Sequence, residues 1–154
     1  MSSSSSARDL ATLEALRRKR AELRGSMGAL ELALASPAPS GQVRWAERVH
    51  VALVELSADF REHIDLTQGQ EGLYVDILVV APRLSGAVGR LTGEHAQISD
   101  LVDDLVARTA PGEGEDVDTV RDLGTSLLGS LASHRQRGSD LVYEAYEFDV
   151  GGET

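Results

Sequence analysis

The sequence predicts an all-α protein, an antiparallel up-down-up-down four-helix bundle, from three observations. Apolar residues recur at alternating steps of three and four, the spacing of one face of a helix and not of a strand. Three stretches that carry Pro or Gly breakers divide these stripes into four segments. The chain has 154 residues, enough for one ordinary core and too few for two full domains. Four amphipathic helices of about 20 to 30 residues joined by short connections pack most simply as neighbours in sequence order.

The first stripe reads Leu13, Leu16, Arg20, Leu23, Met27, Leu30 and Leu34, and the Pro-rich stretch at 36–41 ends it. The second reads Val49, Leu53, Leu56, Phe60, His63 and Thr67. Residues 68–72, with two glycines, interrupt this segment and are read as a distortion within one helix, which then runs to the break at 79–82. The third stripe is Leu84, Val88, Leu91, His95, Ile98, Val102 and Leu105, closed by the Pro and Gly of 111–115. The fourth is Val120, Leu123, Leu127, Leu131, His134, Gly138, Leu141 and Ala145. Residues 8–149 therefore make the bundle, residues 1–7 a disordered polar start and residues 150–154 a flexible acidic end.

Composition removes several function classes. With no Cys, disulfide frameworks, thiolate metal sites, iron–sulfur clusters and Cys nucleophiles are absent, so any metal is held by nitrogen and oxygen. A net charge of −10 opposes a general nucleic-acid surface or a polybasic membrane patch. Arg17, Arg18, Lys19 and Arg20 form a short basic run, read as a solvated helix face paired with nearby Glu. No apolar run approaches the roughly 18 to 20 residues that span a bilayer, and the expected location is the cytoplasm. Walker loops, dinucleotide Gly fingerprints, HExxH pairs and Gly-x-Ser-x-Gly elbows are all missing.

Three of the four histidines, His63, His95 and His134, occupy apolar-stripe positions on three different helices, where a hydrophobic residue is the default. Counting from the connections brings them to similar depth in antiparallel neighbours, with a mismatch of about three residues, or roughly 4.5 Å. One such His usually hydrogen-bonds a carbonyl or carboxylate in the core. Three at one level point to a shared metal, because a metal binds several neutral imidazoles at once. His50 lies about 20 Å along the second helix from this level and reads as a boundary residue. Tyr74, Tyr143, Tyr146, Trp45 and Phe60 read as packing residues.

Arg61-Glu62-His63 followed by Glu71-Gly72-Leu73-Tyr74, then Gly93-Glu94-His95, then the stretch from Ser133-His134 through Asp140 to Tyr143, together resemble the hemerythrin-like, or HHE cation-binding, family. The resemblance covers residues 8–149 and implies a bundle that holds non-haem iron, as a di-iron centre in the family, with His and carboxylates. Mapped onto this chain, it implies the ligands His63, His95, His134 and Asp140, with Glu71 as a remote candidate. The chain departs from the pattern in the first helix, which has no His and at the height of the site offers only Glu14, and one turn after His63 and His95, where Thr67 and Ser99 stand. Asp140, six residues after His134, needs a local bulge near Gly138 to turn inward.

Two functions stay open. One is a metal-binding hemerythrin-like protein, with iron in the bundle core serving oxygen or redox sensing, storage or peroxide handling. Its partners would be the metal and dioxygen, nitric oxide or peroxide, without nucleic acid or membrane, and a homodimer is a conceivable assembly. The other is a metal-free bundle with a degenerate site that works by helix-to-helix association. An inward Asp140 favours the first; a solvated Asp140 and imidazoles bonded to other protein groups favour the second.

Overall fold

The computed structural model describes residues 2–38 and 42–148, so the flexible end expected at 150–154 lies outside the described residues. Four long helices are present: α1 (Ser2–Ala35), α2 (Gln42–Gln68), α4 (Ser85–Arg108) and α5 (Val117–Val142). A short helix, α3 (Leu73–Val80), and a single 3-10 turn at Pro82–Leu84 join α2 to α4. The polar start at 2–7 continues the helical backbone of α1, since its Ser and Ala carry neither Pro nor Gly to stop propagation.

Each long helix packs against the two that neighbour it in a ring of order α1, α2, α4, α5. Cross-helix pairs show that every neighbour is antiparallel. Lys19 reaches Glu62 while the later Ser26 reaches the earlier Asp59, and His50 meets Thr109 while His63 faces His95. Arg20 meets Ser139, and the far end of α1 meets Arg121. The predicted all-α antiparallel bundle is the observed fold.

The break at 68–72 is a true turn and not the expected distortion. Gly69 accepts a backbone bond from Gly72, and α3 starts afresh at Leu73. A Cβ on Gly72 would lie 2.6 Å from the Thr67 carbonyl oxygen, and one on Gly69 2.4 Å from that of Asp65. Backbone passes backbone so closely that only glycine fits. The remaining ends follow local chemistry: Pro82 opens the 3-10 turn, and Asp116 caps α5 by accepting from Thr119 N at 3.1 Å. Arg121 performs the same service for the C-terminus of α1 from another helix. Its Nε donates to Leu34 O at 2.9 Å and its Nη2 to Ser36 O at 2.8 Å, with the guanidinium 5.3 Å from the Trp45 ring.

The apolar interior forms two clusters. The larger, toward the α1–α2 and α4–α5 connections, includes Leu30, Trp45, Leu53, Phe60, Ile98 and Leu131. The smaller, at the α3 end, includes Tyr74, Ile77, Leu91 and Leu141. Between Ile98 and Leu91 on α4, and between Leu131 and Leu141 on α5, stand His95 and His134, so a polar layer separates the two.

Candidate metal centre

α2, α4 and α5 bring His63, His95 and His134 together, as the stripe positions require. Ring centroids lie 5.2 Å apart for His63 and His95, 5.3 Å for His63 and His134, and 4.8 Å for His95 and His134. One nitrogen from each ring can be chosen so that all three lie within 4.8 Å of one another. His95 and His134 are almost wholly buried, at 2% and 1% exposure, and His63 is half-buried. Phe60 stacks on His63 at 5.6 Å and Tyr74 on His95 at 5.9 Å, so aromatic rings clamp the layer from both clusters.

Hydrogen bonds assign the protons. His134 Nδ1 lies 2.8 Å from Glu94 Oε1, and Arg137 Nη2 lies 2.7 Å from the other oxygen of that carboxylate. A carboxylate only accepts, so neutral His134 carries its proton on Nδ1 and turns a lone pair on Nε2 inward. His95 Nδ1 lies 2.6 Å from Gln68 Oε1, an amide oxygen that also only accepts. The lone pair of His95 Nε2 is then buried without any partner. His63 Nε2 lies 3.2 Å from His134 Nε2, so His63 donates the one proton between them.

Protonation is disfavoured across the layer. Burial, reinforced by the neighbouring imidazoles and by Arg20 and Arg135, pushes His63 down from 6.5 to about 3. Burial, with a further contribution from His134, pushes His95 down to about 4. Burial also lowers His134, although Glu94 opposes it. At Glu94 burial acts upward, but the bonds from His134 and Arg137 outweigh it and hold the carboxyl below its ordinary value. Burial pushes Tyr74 up to about 12, so its hydroxyl stays protonated. At neutral pH the layer presents three neutral imidazoles, the form that binds metals.

The other predicted ligands stand apart from the three rings. Asp140 is exposed and accepts from Gln136 Nε2 at 3.0 Å. The bulge that would turn it inward does not occur at Gly138; wide π-helical geometry starts only at Tyr143 and continues to Phe148. Glu71 is exposed in the turn before α3, and Glu14 is exposed on α1. Sequence reasoning missed Glu94 and Gln68 as orienting partners. Glu94 stands next to His95, but it serves His134 on another helix. The remaining corner of the layer, beside α1, is a cavity of about 240 Å³.

The donor set could hold a metal ion. Metal–nitrogen bonds of 2.0–2.1 Å at a tetrahedral angle place two nitrogens about 3.3 Å apart, close to the 3.2 Å between His63 and His134 Nε2. A carboxylate or amide on the outer nitrogen of two of the rings is the arrangement that fixes tautomer and orientation in metal-bound histidines. The chain matches no family model, no curated protein and no solved structure.

Proposed function

We propose that this chain is a metal-binding four-helix bundle of hemerythrin-like plan that holds one divalent ion, iron in the first instance, with His63, His95 and His134. The observation that carries the reading is the buried, partnerless lone pair of His95 Nε2, aimed into a layer with two further imidazoles. Leaving that nitrogen unpaired costs about 1–3 kcal/mol, a cost that a bound ion would remove. One ion is proposed and not a bridged pair. Among the described residues Glu94 is the carboxylate that bonds a histidine of the layer, and it is engaged by His134 and Arg137, while Asp140 and Glu71 are exposed.

Binding requires a tautomer change at His63, whose proton moves from Nε2 to Nδ1 so that all three Nε2 lone pairs face inward. His95 and His134 are already held in that state by Gln68 and Glu94. The three imidazoles would hold iron, which when bound would supply chemistry toward dioxygen, nitric oxide or peroxide, and the adjacent cavity is large enough to admit any of them.

The test is metal content by inductively coupled plasma mass spectrometry after anaerobic loading with ferrous iron and desalting. Wild type is compared with a folded His63→Ala, His134→Ala double variant. About one iron per chain that disappears in the variant supports the reading. Zinc or manganese retained in place of iron changes the metal and keeps the site. No metal above the variant's background overturns the reading in favour of the metal-free bundle, for which the solvated Asp140 and the His63–His134 hydrogen bond speak.

A further inference from the structure

The cavity between α1 and α5 has a graded lining. At its inner end are His63 and the fully buried His134; at its outer end are exposed Arg20 and half-buried Arg135. Leu16, Leu23, Leu73 and Val142 form apolar walls between them. In a chain with 25 acidic and only 15 basic residues, the outer end is an island of positive charge. Arg20 donates to Ser139 Oγ at 2.7 Å, and Arg24 is close enough to act electrostatically on Arg135. Among the described residues, neither Arg20, Arg24 nor Arg135 has an ion-pair partner, whereas nearby Lys19 and Arg137 are paired with Glu62 and Glu94.

A cationic outer end over apolar walls is complementary to an amphipathic anion. Guanidinium groups present paired N–H donors that match a carboxylate, and the charge above a low-dielectric slot draws such anions in. Size follows from volume: benzene fills an apolar cavity of about 150 Å³, so one of about 240 Å³ takes a molecule of about ten non-hydrogen atoms. We propose that the cavity binds a medium-chain monocarboxylate of about eight carbons, its carboxylate held by Arg20 and Arg135 and its chain lying along Leu16, Leu23 and Val142 toward His134. This site does not rest on the metal reading: His63 and His134 line only its inner end, and the groups that hold the carboxylate and the chain, Arg20, Arg135 and the apolar walls, are not metal ligands.

The test is isothermal titration of the chelator-treated protein with octanoate, octan-1-ol and sulfate. Three chains are compared: wild type, the Arg20→Gln, Arg135→Gln double variant, and Gly138→Phe. Gly138 lines the cavity, and a Cβ there meets nothing within 4 Å, so the aromatic ring fills the slot while both arginines remain. Helical circular dichroism verifies folding of each variant. Saturable octanoate binding is expected in the micromolar range, weakened at least about tenfold in the arginine variant and abolished by Gly138→Phe; octan-1-ol is expected at least about tenfold weaker than octanoate. No saturable heat with octanoate overturns the proposal. So do equal affinity for octan-1-ol, displacement of octanoate by equimolar sulfate, and undiminished binding to the Gly138→Phe chain.

Discussion

Glu94 holds His134 from a different helix: the carboxylate oxygen Oε1 lies 2.8 Å from the ring nitrogen Nδ1, and Arg137 anchors the other oxygen at 2.7 Å. The pairing forces the lone pair of His134 into the bundle. It makes Glu94 a positioning residue for any ion held there, with consequences for affinity that can be measured.

Glu94→Ala is expected to weaken metal binding about 10–100-fold, the usual effect of removing a carboxylate behind a ligating imidazole. Glu94→Gln, which retains an accepting oxygen, is expected to lose much less. Competition with a fluorescent chelator reads both values. Equal affinity in wild type and Glu94→Ala would show that the carboxylate does not orient the site.

Stability is expected to fall on acidification because the folded chain resists protonation of its core histidines. His63 titrates at about 3 and His95 at about 4, both below the ordinary 6.5 of an exposed ring. The folded state therefore binds fewer protons than the unfolded one throughout this window. The full contribution is present above about pH 6.5 and is lost as pH drops toward 4 and then 3, at about 1.4 kcal/mol per pH unit for each fully titrating ring. Urea unfolding of the metal-free chain between pH 7 and pH 4.5 measures the slope, and a flat profile would contradict the assignment.

His95→Leu is expected to raise the stability of the metal-free protein by about 1–2 kcal/mol while destroying the metal site, because it removes an unpaired nitrogen from the core. Thermal unfolding in a chelator reads the gain. A loss of stability would mean that the His95–Gln68 bond contributes more than the orphaned nitrogen costs.

Arg121→Ala is expected to cost about 1–3 kcal/mol, since the last carbonyls of α1 lose a charged donor and Trp45 loses its cation. For a domain of this size that corresponds to a fall in Tm of about 3–10 °C. Metal stoichiometry is expected to be unaffected, because Arg121 lies at the opposite end of the larger cluster from the histidine layer.

The bundle was legible because its signal is periodic: each apolar stripe is long enough to define a face, and Pro and Gly mark three of the connections. The three histidines were legible for the same reason, since each replaces a core residue on its stripe. Their partners were not. Glu94 and Gln68 act across helices, so their spacing from the histidine on their own helix carries no sign of the one they serve. Asp140 stays exposed because its inward turn depended on a bulge before it, whereas the backbone widens only after it. The turn at 68–72 depends on backbone approaching backbone across a few residues, a constraint that glycine content alone does not distinguish from a bend in a continuing helix.

The histidine layer gives the molecule two unequal halves with respect to local opening. The larger cluster ties all four long helices together, while the smaller one relies on α3, the turn beside it, the first turns of α4 and the end of α5. Amide hydrogen exchange in the metal-free chain is therefore expected to be biphasic, with amides near Leu53 and Leu127 exchanging only on global unfolding and those near Ile77 and Leu141 through a smaller, cheaper excursion. Whatever links the three imidazoles would fasten the halves to each other and merge the two phases into one.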